Sequence, residues 1–318
     1  MSNFKWNNRL ATYLILVLSL LVYSTAIAKI ERNVEKILDV KPGGLLTLDT
    51  DLGSIDIATH DKNTVDVKVN LIADTRSESK AEDIINNFRL EFDQTGDNVE
   101  VFGELLKRKS FNFWGSNRNR LKVEFLILVP SNYNLDIRTS GGSIYVQDLT
   151  GEIDASTSGG SLTFEHIDGP VFGKTSGGSI TLKSCKGLCD VKTSGGSIKI
   201  GEVDGEVIAK TSGGSIKVNE VHGTIDASTS GGSVTAKISE QPKSDCRLTT
   251  SGGSVNVYLA DNIAVDLDAK TSAGSVYTDF DVTVRGKLKK TSVRGKINGG
   301  GPELYLRTSG GSIYINEM

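Results

Sequence analysis

The chain has 318 residues, with 36 Lys plus Arg against 39 Asp plus Glu and a formal charge of −3, so no global field draws it to nucleic acid or to an anionic membrane. Five prolines, 24% charged and 37% hydrophobic residues exclude a disordered tail protein and allow a packed core, while three Cys and three His exclude a disulfide framework and a multi-zinc protein. Glycine is in excess: its 35 copies are about 11% of the chain against an average of about 7%, without the period of collagen.

In chain order, Lys5 and Arg9 precede an apolar run over residues 10–22, and Ala26-Ile27-Ala28 supplies the small residues of a cleavage site. Residues 1–28 read as a secretory signal peptide cut after Ala28. An uncleaved anchor is the alternative, because the apolar stretch approaches spanning length. That segment carries two basic and no acidic residues, so its loss takes the formal charge from −3 to −5. The expectation is an exported protein, periplasmic or secreted to the cell surface, with no integral membrane segment after cleavage.

Residues 29–137 alternate with period two in Val65, Val67, Val69, Leu71, then Val99, Val101, then Val123, Phe125, Ile127, Val129, the signature of half-buried strands. Between them Ser79-x-x-Glu82 reads as a capping box, and Ala81, Ile84, Ile85 and Phe88 keep helical spacing, predicting one helix at about 79–88. Thr50-Asp51-Leu52-Gly53-Ser54-Ile55 looks like a worn copy of the Thr-Ser-Gly-Gly-Ser repeat that fills the rest of the chain. The region is expected to be a β-rich cap with one helix, continuous with the repeats. It also holds Lys107, Arg108, Lys109, Phe111, Phe113, Trp114, Arg118, Arg120 and Lys122, either a hairpin tip or a contact loop for an anionic envelope ligand, with cations around aromatic anchors.

Residues 138–318 repeat themselves. Thr-Ser-Gly-Gly-Ser begins at Thr139, Thr157, Thr175, Thr193, Thr211, Thr229, Thr250 and Thr308, with degenerate copies at Thr271 and Thr291. The first six starts are 18 residues apart and the later intervals are 21, 21, 20 and 17. A fixed period of this size, with strand-like content, predicts an all-β, single-chain parallel β-solenoid (a β-helix) of about ten coils. Apolar columns lie on both sides of the double glycine: Ile153 and Ala155 before it, Leu162 and Phe164 after it, and their counterparts one period on. Parity turns the repeated Thr inward, where its hydroxyl can bond coil to coil. Asp136, Asp154, Asp190 and Asp226 alternate with Arg138, Lys174, Lys192 and Lys210 on the outward side. Gly151, Gly169, Gly187, Gly205 and Gly223 mark the opposite bend, and handedness stays open. Only eleven residues remain from Thr308 onward, so the last strand is expected to be an open edge, covered by self-association, by a partner or by local residues.

A signal peptide, a strand-rich segment with a helix, and serial Thr-Ser-Gly-Gly-Ser-[Ile/Leu/Val] copies resemble the bacterial "putative adhesin" family of strand-repeat envelope proteins. The resemblance covers nearly all of the mature chain and includes Leu46-x-Leu48 with Gly53-Ser54-Ile55-Asp56-Ile57. It implies a β-solenoid exposed at the envelope and carries no catalytic residue to transfer.

Chemistry is sparse. The repeat serines share no column with a histidine, which defeats triad logic. Gly169 to Thr175 ends like a phosphate loop but is one residue short and precedes a strand. His60, His166 and His222 are scattered and suggest no metal site, and no cofactor is implied. Cys185 and Cys189 occupy inward columns, either as small apolar residues or as a disulfide across Gly187; Cys246 falls three coils away, beyond bridging reach. The expected function is a non-enzymatic, exported binding or structural module, with an envelope glycan, an anionic lipid or another envelope protein as partner and no nucleic acid. The alternative is a polysaccharide-processing β-helix enzyme, which would need clustered acids in a groove.

Overall fold

The computed structural model describes residues 30–75, 77–106, 121–284 and 289–318. Each repeat contributes one strand before its double glycine and one after it. Ile153–Thr157 runs into the Thr157 turn, Leu162–Asp168 runs back, and a bend at Gly169 leads into Val171–Thr175. Strands that precede the turn stack in parallel into one 14-stranded sheet, here the entry sheet, and those on its far side stack into a second, the return sheet. The chain is thus an all-β parallel solenoid, two sheets thick. Thr157 pairs with Thr175 and Thr175 with Thr193, so an 18-residue step lands every column on itself.

Period-two alternation puts the apolar columns between the sheets. Ile153, Ala155, Leu162 and Phe164 are fully buried, as are Ile180, Val191, Ile198 and Val207 in the coils beyond. Sizes compensate across the core: Gly173 takes an inward position, and a Cβ there would lie 3.3 Å from the Phe164 ring and 3.2 Å from Val191. Cys185, Cys189 and Cys246 are all buried free thiols, and Cys246 stands in the Ile225 position, three coils from Cys189.

Ten turn threonines, at 50, 139, 157, 175, 193, 211, 229, 250, 271 and 308, are buried. Nine of them donate to the carbonyl of the second glycine, or its equivalent Gly53, one coil back: Thr193 to Gly178 at 2.8 Å, for example, and Thr229 to Gly214 at 2.7 Å. The inward hydroxyls therefore link coil to coil through backbone carbonyls and not through each other. The last Ser of each turn adds a second ladder, its Oγ accepting the next coil's Ser amide, as from Ser197 to Ser179 at 3.2 Å. At the opposite bend Gly151, Gly169, Gly187 and Gly205 adopt positive φ. Gly223 does not; there a Cβ would meet the Gly205 carbonyl at 2.2 Å.

The worn copy at Thr50 is a full coil. Leu45–Thr50 and Ser54–His60 lie in the two sheets beside the Thr139 coil, with Thr50 opposite Thr139, and the sheets cross position 138 without a break. Outside this coil lie Asn98–Leu105 and Leu121–Pro130, then the antiparallel strands Phe88–Thr95, Thr64–Ala73 and Ile30–Asp39. The helix Glu78–Ile85 joins the sheets at this end and buries Ala81 and Ile85. It starts earlier than the capping-box reading placed it: Ser77 is the N-cap and makes no side-chain cap bond, Ser79 lies inside, and Phe88 already begins a strand.

At the other end the chain does not stack in sequence order. Val265–Thr271 leaves a one-coil gap beyond the Thr250 coil, and Glu303–Thr308 with Ile313–Glu317 returns to fill it, pairing with Cys246–Thr250 and Val255–Leu259 on one side and with Val265–Thr271 and Val276–Thr278 on the other. The final strand is therefore no edge, contrary to the expectation from chain order, and local residues fill both of its sides. The copy at Thr291 is also corrected: Ser292–Ile297 is an antiparallel strand against Val265–Thr271, because Val293-Arg294 replaces the glycines that a stacked turn requires. Asp268 clamps the arrangement, accepting from Arg307 at 2.7 Å in the inserted strand and from Arg294 at 3.0 Å in the closing strand. Burial works to raise the Asp268 carboxyl, but these two guanidinium groups hold it below the usual carboxylate range.

Deleting residues 303–318 should thus do more than shorten the rod. Val265–Thr271 would lose its parallel neighbour, and limited proteolysis read by mass spectrometry should show cleavage across residues 260–302 while the coils from Thr139 to Thr229 stay protected. Unchanged protection of 260–302 would contradict the inserted order.

Candidate functional site

The candidate contact residues Lys107, Arg108, Lys109, Phe111, Phe113, Trp114, Arg118 and Arg120 lie outside the described residues. Their flanks are placed. Leu106 is exposed, whereas Leu121 is buried and pairs with Ala73, which pairs in turn with Ile30. Ile30 and Leu121 thus share one corner of the return sheet, while Leu106 follows the entry-sheet strand Asn98–Leu105. At the other end of these strands Tyr133 is buried with its hydroxyl donating to the Asp97 carbonyl, and burial, then Asp97, pushes its pKa up to about 12.

The outward side of the entry sheet is charge-balanced. Arg138 pairs with Asp136 at 3.0 Å, Lys192 with Asp190 at 2.9 Å, and Lys210 with Asp226 of the next coil at 3.0 Å. Such solvent-facing pairs neutralise the column and contribute little to stability. Toward the last coils Tyr305 lies between Arg307, at 3.9 Å from the ring centre, and Arg247, at 4.6 Å.

The return sheet differs. Thr181, Lys199, Lys217, Thr235, Asn256, Tyr314 and Tyr277 follow one another in register along one outward column, and Lys237, Tyr258 and Asn316 along the neighbouring one. Lys199 and Lys217 have no ion pair or hydrogen bond among the described residues. Tyr277 and Tyr314 stack with ring centres 5.1 Å apart and 11° between planes. Sequence reading missed this stripe because its two halves are not consecutive: the inserted last strand is what places Tyr314 between Asn256 and Tyr277.

A third polar cluster stands at the opposite bend. Asp148, His166, Ser184, Glu202 and Glu220 share the 18-residue phase, a signal present in the sequence spacing and not used there. His166 meets Asp148 at 2.8 Å, and Ser184 sits on the adjoining strand. No hydrogen bond joins Ser184 to His166 among the described residues, and the His166 and Asp148 side chains are 60% and 72% exposed, so water competes for both. The same surface carries a hollow of 310 Å³ bordered by His166, Lys186, Glu202, Asp204 and His222. There His222 pairs with Glu220 at 3.1 Å and faces Glu202 at 3.9 Å. The hydrogen bond to Glu220 raises the His222 pKa above its ordinary value, and the same bond holds the Glu220 carboxyl below its own. His60 instead donates to the Thr64 carbonyl at 2.7 Å. Burial lifts the Cys246 thiol to about 11, and the hydrogen bond with Cys185, then burial, raises Cys189, so neither is a thiolate at neutral pH. No group of His, Cys, Asp and Glu among the described residues has metal-binding geometry, and no described helix is long and apolar enough to cross a membrane.

The His222–Glu220 pair predicts a two-sided pH dependence. The histidine's contribution is present below its unfolded pKa, about 6.5, and is lost as pH rises through the folded value. The glutamate's is present above its unfolded pKa, about 4.3, and is lost as pH falls through the folded value. In an NMR titration the His222 ring should titrate above the ordinary histidine range and return toward it in Glu220→Gln. An identical midpoint in both proteins would contradict the pairing.

Comparison with known proteins gives a match to the Toastrack DUF4097 family over residues 46–316. Similar solved structures include a "putative cell adhesion protein" from Clostridium sporogenes, at 15% identity and TM-score 0.21, covering 90% of this chain and 100% of that one. A "putative adhesin" from Bacteroides fragilis is 12% identical with TM-score 0.30 and covers 90% and 97% of the two chains. A further "putative adhesin", from Parabacteroides merdae, is 9% identical with TM-score 0.34 and covers 90% and 96%. No curated protein matches the chain.

Proposed function

The chain belongs to the Toastrack DUF4097 family, and we propose that it is a non-enzymatic, exported binding or structural module of the cell envelope. One observation carries this reading: the repeated polar residues are consumed in holding the coils together. The turn Thr hydroxyls bond glycine carbonyls and the turn Ser hydroxyls accept backbone amides, so the most abundant chemistry of the chain is spent on architecture. Long, regular outward faces are left, which suit recognition of an extended surface better than enclosure of a small substrate. The basic leader and apolar run of residues 1–28 support export, to the periplasm or beyond the cell.

Within this reading the loop over residues 107–120 is a contact for an anionic lipid or glycan. Lys107, Arg108 and Lys109 supply charge and Phe111, Phe113 and Trp114 supply anchors. Its described flank Leu121 pairs with Ala73, which pairs in turn with Ile30. Replacing Lys107, Arg108 and Lys109 together with Ala should weaken binding of the mature chain to vesicles containing phosphatidylglycerol, read by co-sedimentation, with an unchanged melting curve. Undiminished binding would remove the loop from the proposal.

A further inference from the structure

Among the described residues, the stripe on the return sheet sets two unpaired cations side by side in register, whereas the unpaired lysines of the entry sheet, Lys174 and Lys270, stand apart from each other. In the entry sheet Lys192 and Lys210 each find an aspartate. In the return sheet Lys183 is paired with Glu165, but Lys199 and Lys217, the next two lysines of the face, have no partner among the described residues. Lys237 faces the Tyr258 ring at 6.0 Å. The nearest acid of this face, Glu220, feels Lys237 but is already held by His222. Beyond the lysines the outward residues become Asn256, Tyr258, Tyr314, Asn316 and Tyr277, with Glu317 and Asp279 at the strand ends.

Spacing adds to composition. Adjacent strands lie about 4.8 Å apart, so from Lys199 to Tyr277 the stripe runs about 24 Å along the axis, one residue wide per column. Val276–Thr278 ends the return sheet, so one ring face of Tyr277 packs on Tyr314 and the other meets no further coil among the described residues; the side chain is 53% exposed. Two unpaired cations in file, with Lys237 beside them against Tyr258 and followed by amides and an open aromatic face, complement a linear polymer with acid groups at one end of its footprint and a flat, hydroxyl-rich ring at the other.

We propose that this stripe binds an extended anionic polysaccharide, its acid groups on Lys199, Lys217 and Lys237 and its sugar rings along Tyr258, Tyr314 and Tyr277. The proposal rests on the reading of the chain as a binding module but not on the loop at 107–120. A membrane surface fits less well, because the exposed large aliphatic side chains of this sheet, Ile37, Leu126 and Leu128, lie at its opposite end. Single-stranded nucleic acid fits less well too, because Tyr277 and Tyr314 stack on each other and leave one open ring face where a run of bases needs several.

Calorimetric titration of the mature chain with oligogalacturonate tests it, alongside neutral dextran, oligo(dT) and phosphatidylglycerol vesicles. Oligogalacturonate should bind, more weakly as salt rises, and dextran should not. Replacing Lys199, Lys217 and Lys237 with Ala should lower the affinity about 10-fold, the sum of three exposed charge contacts of about 0.5 kcal/mol each. Tyr277→Ala with Tyr314→Ala should also weaken binding, whereas Lys192→Ala with Lys210→Ala in the entry sheet should leave it unchanged; melting curves establish that each variant is folded. Absence of oligogalacturonate binding, equal affinity in the triple-lysine variant, or tighter binding of oligo(dT) or vesicles than of the glycan would overturn the assignment. The Lys107, Arg108, Lys109 variant run in parallel separates the two ideas: glycan binding lost only there would sink the stripe and leave the binding-module reading standing.

Discussion

Every coil depends on how closely the double-glycine turns stack. A Cβ on the second glycine would lie 2.0 Å from the preceding second-glycine carbonyl at Gly160, Gly178 and Gly196, and 2.2 Å at Gly214, with backbone on the far side that cannot yield. Glycine is thus required there for approach and not for an unusual φ. That closeness brings each carbonyl within reach of the next threonine hydroxyl. The first glycine is less constrained in the early coils, with 3.9 Å at Gly159 and 3.4 Å at Gly177, though only 2.6 Å at Gly231 and Gly252; it is this position that Ala273 occupies in the Thr271 turn. The ladder's energy is modest, about 0.5–1.5 kcal/mol net per hydrogen bond. Each coil also buries several aliphatic side chains worth about 1.5–3 kcal/mol apiece. Burial therefore stabilises the rod, and the threonine–glycine contact selects its register.

That division explains what could be read in advance. Columns that recur every 18 residues are set by local alternation and by the glycine turn, so the inward Ile, Val and Leu positions, the buried Thr and the Asp–Lys face were all legible. The Thr50 coil was legible too, because Thr-x-x-Gly-Ser keeps an inward threonine and the glycine whose carbonyl Thr139 of the next coil reaches. Chain order was the misleading guide. A parallel solenoid adds coils in sequence only while each link is short enough to step to the next slot. Here residues 260–264 step over one slot, and the connection from residue 278 through the antiparallel strand Ser292–Ile297 is long enough to return to it. Nothing periodic records that detour. Its traces are single residues, Asp268 holding both Arg294 and Arg307, and Asn298 donating to the Asp261 carbonyl at 2.7 Å.

The same detour shapes the functional surface. With the last strand inserted, the return sheet ends on the three-residue strand Val276–Thr278, while antiparallel strands close its other end and both ends of the entry sheet; short and antiparallel edges are recurrent ways of blunting a sheet. The insertion also carries Tyr314 to the side of Tyr277. The loop residues predicted for contact lie outside the described structure, whereas the lysine–tyrosine stripe became visible only once the strand order was known. The faces that the ladder leaves free are not equivalent: the entry sheet pairs Arg138, Lys192 and Lys210 with aspartates, and the return sheet keeps two adjacent lysines, Lys199 and Lys217, without partners among the described residues.

Paired substitution within one turn tests the central constraint most directly. Urea denaturation of Gly178→Ala and Gly177→Ala compares a position whose Cβ would sit 2.0 Å from backbone with one that has 3.4 Å. The account predicts a loss of more than about 2 kcal/mol for Gly178→Ala and less than about 1 kcal/mol for Gly177→Ala. Equal losses, or the reverse order, would contradict the claim that the second glycine's contact with the preceding coil sets the fold.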